Sequence, residues 1–189
     1  AKRKHARLEF VPIKREGELS NDYEFPSGTR VFAFPHASNV LGTLNDVQHW
    51  AKKARKAGAE IVAVDGAAGA PHSPPDVHSS GADFYAFSGH KMLGPMGSGV
   101  LWGKSELLER MPPFLYGGSM IASVEKQEST WAELPQKFEA GTPNAADAIG
   151  LGAAIDYLSA VGLHEIRKHE EKLVKKTLDL LAEIPGVTV

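Results

Sequence analysis

Short apolar runs alternate with amphipathic or polar segments through the first half of the chain. Residues 45–56 repeat their apolar positions at intervals of three and four, which predicts a helix with Asn45 as N-cap and Gly58 as its stop. The run at 61–64 is apolar at every position, as expected of a strand that is covered on both faces. Strands that alternate with helices indicate an α/β sheet, mostly parallel. The runs that predict strands lie at 8–11, 31–34, 61–64, 84–87 and 100–102.

The second half is organised differently. Ser105 is placed to cap a short helix at 106–110, and residues 116–144 form a long irregular connection of the kind that is usually functional or mobile. Residues 145–160 are small and apolar, which predicts a buried helix. Residues 163–184 place their apolar side chains on one helical face, and 187–189 resemble the beginning of a strand.

Composition narrows the classes of function. The 189 residues carry a formal charge of −2, which disfavours nucleic acid as the main partner. The basic N-terminal residues are not followed by the apolar stretch of a secretory signal, and no apolar run approaches the ~20 residues of a membrane helix. The sequence has no cysteine, so these residues contain no disulfide, no thiolate metal ligand and no cysteine nucleophile. We predict no metal site.

Two charged residues at the ends of predicted strands carry the main functional prediction. Asp65 ends the run at 61–64, and Lys91 follows the run at 84–87 within the segment Ser88-Gly89-His90-Lys91. In open α/β sheets, ligands bind at the carboxyl ends of the strands. An enzyme that uses pyridoxal 5′-phosphate (PLP) needs this pair, because an amine holds the cofactor as a Schiff base and a carboxylate keeps the pyridine nitrogen protonated. We expect Lys91 to be partly buried beside the glycine-rich turn at 94–99.

Further candidates flank this pair. Ser88 and His90 offer a hydroxyl and an imidazole to a phosphate, and Thr142 offers a hydroxyl at a predicted helix start, where anions bind well. Asn39 follows the strand at 31–34 and is predicted to point to the same edge of the sheet. Each candidate also has a structural explanation, since surface lysines, turn aspartates, satisfied histidines and loop asparagines are common.

Five segments match one family in order and spacing. They read SNVLG at 38–42, VDGA at 64–67, ADFYAFSGHK at 82–91, GGSMI at 117–121 and FEAGTPN at 138–144. Together they resemble the Suf-type cysteine desulfurases of the class V aminotransferase group. The resemblance covers essentially the whole chain and implies the large domain of a fold type I PLP-dependent transferase, truncated at both ends. Residues 1–160 would form the central part of this domain, and 161–189 a long helix leading to a C-terminal small domain.

The resemblance also implies a role for each candidate residue. Lys91 would carry the cofactor as a Schiff base, and Asp65 would pair with the pyridine nitrogen. Ser88 and His90 would bind the cofactor phosphate, and Thr142 would reach the phosphate of the other subunit in a homodimer. Asn39 would bind the substrate carboxylate or the cofactor.

In that family, L-cysteine gives L-alanine while an enzyme cysteine takes the sulfur as a persulfide. The implied partner is a Suf-type sulfur acceptor for iron–sulfur assembly, and the implied location is the cytoplasm. We expect neither a nucleic acid nor a membrane partner.

The sequence departs from the family pattern at two points, and other functions stay open. Ala68 stands where the family usually has a glutamine that bonds the cofactor's ring oxygen. The catalytic cysteine and the arginine that clamps the substrate carboxylate are expected in the small domain, outside this sequence. Alternatives are another class V enzyme, such as a selenocysteine lyase, an epimerase or another lyase, or a non-catalytic remnant that only dimerises or binds a partner.

Overall fold

A computed structural model describes residues 6–73 and 76–188. Its main sheet has four strands in the order β1-β2-β3-β4, of which the first three are parallel and the last is antiparallel. The α/β prediction is therefore confirmed, and four predicted strands are present. They are β1 (Val31–Pro35), β2 (Ile61–Asp65), β3 (Phe84–Ser88) and β4 (Gly99–Gly103).

The predicted strand at 8–11 is wrong. Those residues form no strand, and the nearest pairing is an isolated bridge between Ile13 and Leu19. Leu8 and Phe10 stay exposed, so their apolar character does not reflect packing against the sheet.

Within the described residues four α-helices accompany the sheet; the first two begin slightly differently from the predictions, and the other two begin where they were predicted. Asp46, rather than Asn45, caps α1 by accepting the His49 N–H at 2.9 Å. Asn45 is instead buried, and its amide donates to the Pro35 carbonyl at 2.8 Å. Ser105 lies inside α2, with Lys104 at the N-cap position. The helices are α1 (Val47–Lys56), α2 (Ser105–Arg110), α3 (Ala145–Val161) and α4 (Leu163–Ala182).

The long connection at 116–144 contains regular structure that its sequence did not indicate. Strands β5 (Ile121–Val124) and β6 (Ser129–Trp131) form an antiparallel hairpin, and a 3₁₀ turn follows at Gln136–Phe138. The strands are short and rich in serine and threonine, so they lack the apolar alternation that predicts a strand.

The hydrophobic core lies against one face of the main sheet. Phe32 and Phe34 of β1 stack with 4.7 Å between their ring centroids, and Trp50 of α1 packs beside Phe32. Val62 and Val64 of β2 are buried, whereas Ile61 and Ala63, which point to the other face, are only half-buried. The expectation that β2 is covered on both faces is therefore wrong for the described residues.

The two C-terminal helices are less buried than predicted. In α3 only Leu151, Ala154 and Leu158 are buried, because its apolar residues are spread around the helix while the core contacts one side of it. In α4, Leu163 and Ile166 pack against the core, and the remaining apolar positions of the predicted face are exposed or half-buried. Residues 187–188 form no strand, and residue 189 lies outside the described residues.

Within the described parts of the chain, no single helix is long and apolar enough to cross a membrane; only α3 and α4 together reach such a length and composition, across a bend of 72°.

A buried carboxylate connects the sheet to α1 and to the segment before α2. The Asp83 side chain is 3% exposed, pairs with Lys104 at 2.9 Å and with Arg55, and accepts the Val62 N–H at 2.7 Å. Burial alone would favour the neutral acid. The hydrogen bonds from Lys104, Val62 and Arg55 outweigh it and hold the pKa of Asp83 below its usual value.

We expect Asp83→Asn to lower the free energy of unfolding by about 3 kcal/mol at neutral pH, because it leaves two partly buried cations without their counter-charge. The stabilisation from Asp83 is complete above the unfolded-state pKa of about 4 and is lost as pH falls through the lower folded-state pKa. Urea denaturation at several pH values should therefore show the two proteins converging in acid.

A matched control for Asp83 is the exposed pair between Arg30 and Glu60, 2.9 Å apart. Glu60→Gln should change stability much less at neutral pH, because water replaces the lost partner. Equal effects of the two substitutions would contradict the role given to Asp83.

Candidate active site

Three segments with polar residues meet at one edge of the sheet. Pro35 of β1 pairs with Asp65 of β2, which in turn pairs with Ala86 of β3. Because these strands are parallel, the segments that follow them emerge side by side. The predicted placement of Asn39, Asp65 and Lys91 at the carboxyl ends of adjacent strands is confirmed.

Asp65 is held by hydrogen bonds from both neighbouring strands. Its carbonyl accepts the His36 N–H at 2.8 Å, and the next N–H, that of Gly66, donates to the Ala86 carbonyl at 2.7 Å. Oδ1 of the exposed side chain accepts the Ala67 N–H at 2.9 Å. The carboxylate thus closes a turn and is also presented to the edge of the sheet.

Lys91 lies on a 3₁₀ turn, Gly89–Met92, directly after β3. Met92 is buried and anchors the turn. The Gly89 N–H donates to the Ser98 carbonyl at 2.8 Å, and a Cβ at Gly89 would lie 2.1 Å from the Ser98 Oγ. The predicted partial burial of Lys91 is wrong: its side chain is exposed, because the turn is anchored through the neighbouring residues.

Asn39 lies in a tight turn after β1 that is closed by another residue. The Ser38 hydroxyl accepts the N–H groups of Val40 and Leu41 at 3.3 and 3.1 Å, and the Ser38 carbonyl accepts the Gly42 N–H at 3.0 Å. Gly42 has φ +70°, a conformation that favours glycine. Because Ser38 makes the bonds that close the turn, Asn39 is not needed for them.

Asn39 and Lys91 line one cavity of about 420 Å³. Ala67 and Ala68, from the turn after Asp65, line the same cavity. Its size is typical of a site for a small molecule. A primary amine and a side-chain amide therefore lie around a space that suits a cofactor of moderate size. Asp65 is two residues before Ala67 and does not itself line this cavity.

The three predicted phosphate ligands lie elsewhere. Ser88 is half-buried at the end of β3, and His90 is exposed on the following turn. Thr142 is exposed two residues before Asn144, which caps α3 by accepting the Asp147 N–H at 3.4 Å, so the predicted helix start is confirmed. Among the described residues, these three do not line the cavity that holds Lys91.

Two residues of the cavity were missed by the sequence analysis. Arg167 of α4 reaches the cavity, and its Nε donates to Glu171 Oε1 at 2.8 Å. His72 also lines it, with Nδ1 2.7 Å from Glu170 Oε1. Neither residue could be predicted from sequence, because the contact between His72 and Glu170 joins a loop to α4 across 98 residues.

A buried pair of side chains beneath the turn that follows Asp65 was also missed by the sequence analysis. The ring of His36 and the hydroxyl of Tyr85 share a hydrogen bond of 2.8 Å between Nδ1 and Oη, and both residues are buried. Burial lowers the pKa of His36. Burial, together with the negative charge of Asp65, raises the pKa of Tyr85 above its usual range. Both groups are therefore neutral near pH 7.

The donor set fits the cofactor that the sequence predicts. The exposed amine of Lys91 can bond covalently to an aldehyde, and the exposed carboxylate of Asp65 on the adjacent strand can pair with a protonated ring nitrogen. Ala68 contributes only a methyl group to the cavity, so the hydrogen bond of the family's glutamine has no counterpart at this position.

Comparison with known proteins identifies the family. The family profile described as aminotransferase class-V matches residues 1–189. The chain belongs to the class-V aminotransferases. Among curated class-V relatives, it is 51% identical to a probable cysteine desulfurase of Halalkalibacterium halodurans and 47% identical to one of Streptomyces coelicolor. Each alignment covers 100% of this chain, but only 47% and 46% of the relatives, so the chain spans about half their length.

Solved structures of this class-V group agree with the fold. The cysteine desulfurase CsdA from Escherichia coli superposes with a TM-score of 0.88 at 41% identity, over 93% of this chain and 45% of CsdA. The apo cysteine desulfurase of Thermococcus onnurineus gives a TM-score of 0.87 at 38% identity, over 96% of this chain and 51% of that one. The α/β fold predicted from sequence is thus that of known cysteine desulfurases.

We predict that Gly66→Ala destabilises this class-V chain by about 1–3 kcal/mol, the usual cost of overpacking. A Cβ at Gly66 would lie 2.0 Å from Cε1 of the buried Tyr85, so the ring or the turn would have to shift. Thermal unfolding measures the loss.

The control for Gly66 is Gly152→Ala in α3, where a Cβ meets nothing within 4 Å. That change should be neutral or stabilising by up to ~1 kcal/mol, because alanine favours a helix. A Gly66→Ala protein as stable as the Gly152→Ala protein would contradict the close packing.

Proposed function

We propose that this chain is the cofactor-binding part of a PLP-dependent cysteine desulfurase, which converts L-cysteine to L-alanine and passes the sulfur to an enzyme persulfide for iron–sulfur assembly. The observation that carries the proposal is the shared cavity of Lys91 and Asn39 beside the strand that ends at Asp65. The relatives named cysteine desulfurases support the choice of reaction.

The roles proposed for the residues follow from their positions. Lys91 bonds covalently to the cofactor aldehyde, and Asp65 pairs with the ring nitrogen. The bound cofactor would supply an electron sink for the substrate's α-carbon. Asn39, at the same cavity, is placed to bind the substrate carboxylate or the cofactor.

Three further residues are proposed as ligands of the cofactor phosphate. Ser88, at the end of β3, and His90, on the turn that carries Lys91, are proposed to bind the cofactor phosphate. Thr142 is exposed at the start of α3, which suits a contact with the partner subunit of a homodimer.

The sulfur chemistry requires a thiol that these residues do not supply. The 189 residues contain no cysteine, so the persulfide would form on a cysteine outside this sequence. We assign 1–160 to the central part of the large domain and 161–189 to the helix that leads towards a small domain. A Suf-type sulfur acceptor and a cytoplasmic location complete the proposal.

A second candidate is a class V lyase, and Ala68 is the observation that favours it. One structural relative, 30% identical with a TM-score of 0.66 over 75% of this chain and 39% of that one, is a cystine C–S lyase in complex with cysteine persulfide. The two reactions can be distinguished by their products. A desulfurase releases alanine and retains sulfur on the enzyme, whereas elimination by a lyase releases pyruvate and ammonia.

We expect Lys91→Ala to abolish covalent attachment of PLP to the full-length protein. Borohydride reduction followed by peptide mapping measures the attachment, which should fall on Lys91 in the unsubstituted protein. Lys52→Ala, which removes an exposed lysine of α1, is the control and should leave the label unchanged. Label on another lysine, or label that persists after Lys91→Ala, would refute the assignment.

We expect Ala68→Gln to tighten PLP binding about fivefold, because one added hydrogen bond to the ring oxygen contributes ~1 kcal/mol. Equilibrium titration with PLP measures the change. Ala67→Gln is the matched control, since Ala67 lines the same cavity. Equal effects of the two glutamines would show that residue 68 has no special relation to the cofactor.

A further inference from the structure

The buried pair of His36 and Tyr85 lies directly under the turn that presents Asp65. Tyr85 belongs to β3 and is 2% exposed, and His36 follows β1 and is 8% exposed. Their side chains reach each other from the two strands that flank β2, and the hydrogen bond between them is 2.8 Å long. The pair therefore spans the end of the strand that carries Asp65.

The turn after Asp65 rests on these two rings. A Cβ at Gly66 would lie 2.0 Å from Tyr85 Cε1, and a Cβ at Gly69 would lie 2.4 Å from His36 Nδ1. Both glycines thus bring the backbone into direct contact with the pair. The Gly69 and Ala70 N–H groups donate to the Gly66 carbonyl at 3.0 and 2.8 Å. A different conformation of the turn would lose these hydrogen bonds.

Each member of the pair satisfies the other's buried polar atom. Loss of one partner leaves the other without its hydrogen bond in a buried site. His36 also has a second connection to Asp65, because its backbone N–H donates to the Asp65 carbonyl at 2.8 Å. His36 therefore touches this segment twice, at Asp65 through its backbone and at Gly69 through its ring.

We infer that His36 and Tyr85 form a positioning pair, which fixes the turn after β2 so that the Asp65 carboxylate stands where it can bond the ring nitrogen of the cofactor. The inference rests on the proposed PLP function. It assigns no contact between the pair and the cofactor, and both residues act through Asp65.

Displacement of Asp65 would change the absorbance of the bound cofactor in a way that loss of stability alone does not. Pairing with Asp65 keeps the ring nitrogen protonated, and the positive ring opposes protonation of the nitrogen that joins the cofactor to Lys91. When Asp65 is displaced, the ring loses its proton and the pKa of the linking nitrogen rises. The pH midpoint of the visible absorbance band reports this pKa.

The experiment compares the pH midpoint of the visible absorbance band among variants of the full-length, PLP-loaded protein. Asp65→Ala removes the carboxylate and sets the largest expected shift. Tyr85→Phe and His36→Ala should each raise the midpoint in the same direction, by about one unit. The double variant should shift no further than either single one, because the two residues act as a unit. His36→Asn, whose side chain can still bond the Tyr85 hydroxyl, should restore most of the original midpoint.

The control is a buried residue of β1, the strand that precedes His36. Phe32→Leu in β1 should lower the melting temperature while it leaves the band midpoint unchanged, because Phe32 packs against Phe25, Phe34 and Trp50. Unchanged midpoints in Tyr85→Phe and His36→Ala, with a shift in Asp65→Ala, would overturn the inference and leave the PLP function standing. A protein that captures no PLP on Lys91 before any substitution would instead refute the proposed function.

Discussion

Parallel pairing of β1, β2 and β3 is the constraint on which the site depends. It brings the residues after three strands, far apart in sequence, to one edge of the sheet. The Asp65 carbonyl accepts the His36 N–H and the next N–H, that of Gly66, donates to Ala86 of β3, so the sheet itself sets the position of Asp65. Antiparallel β4 begins at the same edge, where Ser98, the residue before it, accepts the Gly89 N–H and fixes the turn that carries Lys91. The side chains of Asp65 and Lys91 are thus exposed, while hydrogen bonds hold the backbone beside each of them.

Sequence patterns predicted the parts of this arrangement that depend on local chemistry. The apolar runs at 31–34, 61–64 and 84–87 identified the central strands, and the polar residues that follow each run identified the edge where a ligand would bind. Asp65, Lys91 and Asn39 could be found in this way because each lies within a few residues of its strand's end. The spacing of motifs along the chain indicated the family, and that prediction needed no knowledge of contacts.

The features that escaped prediction depend on contacts between distant segments. Tyr85 appears in sequence as one more apolar residue of β3, and only the register of the sheet shows that its hydroxyl meets His36. Arg167 lies on an amphipathic helix whose charged face looks solvated, yet it reaches the cavity of Lys91. The burial of Asn45 and the exposure of much of α3 have the same origin, since local pattern does not specify what an apolar or polar side chain will pack against.

The exposure of Lys91 is consistent with the chemistry proposed for it. A lysine that forms a covalent bond with a cofactor, and is later displaced by a substrate amine, needs a mobile side chain on a fixed backbone. The structure separates these requirements between neighbouring residues, because Met92 and Gly89 fix the turn and leave Lys91 exposed. In the proposed function Asp65 has the opposite task, since it would hold one position against the ring nitrogen. Its backbone lies between two paired strands, and a buried pair of rings lies beneath its turn. The Lys91 side chain is thus free to move, whereas the Asp65 carboxylate is held in place. We therefore expect substitutions beneath Asp65 to affect the bound cofactor more than similar substitutions elsewhere in the core.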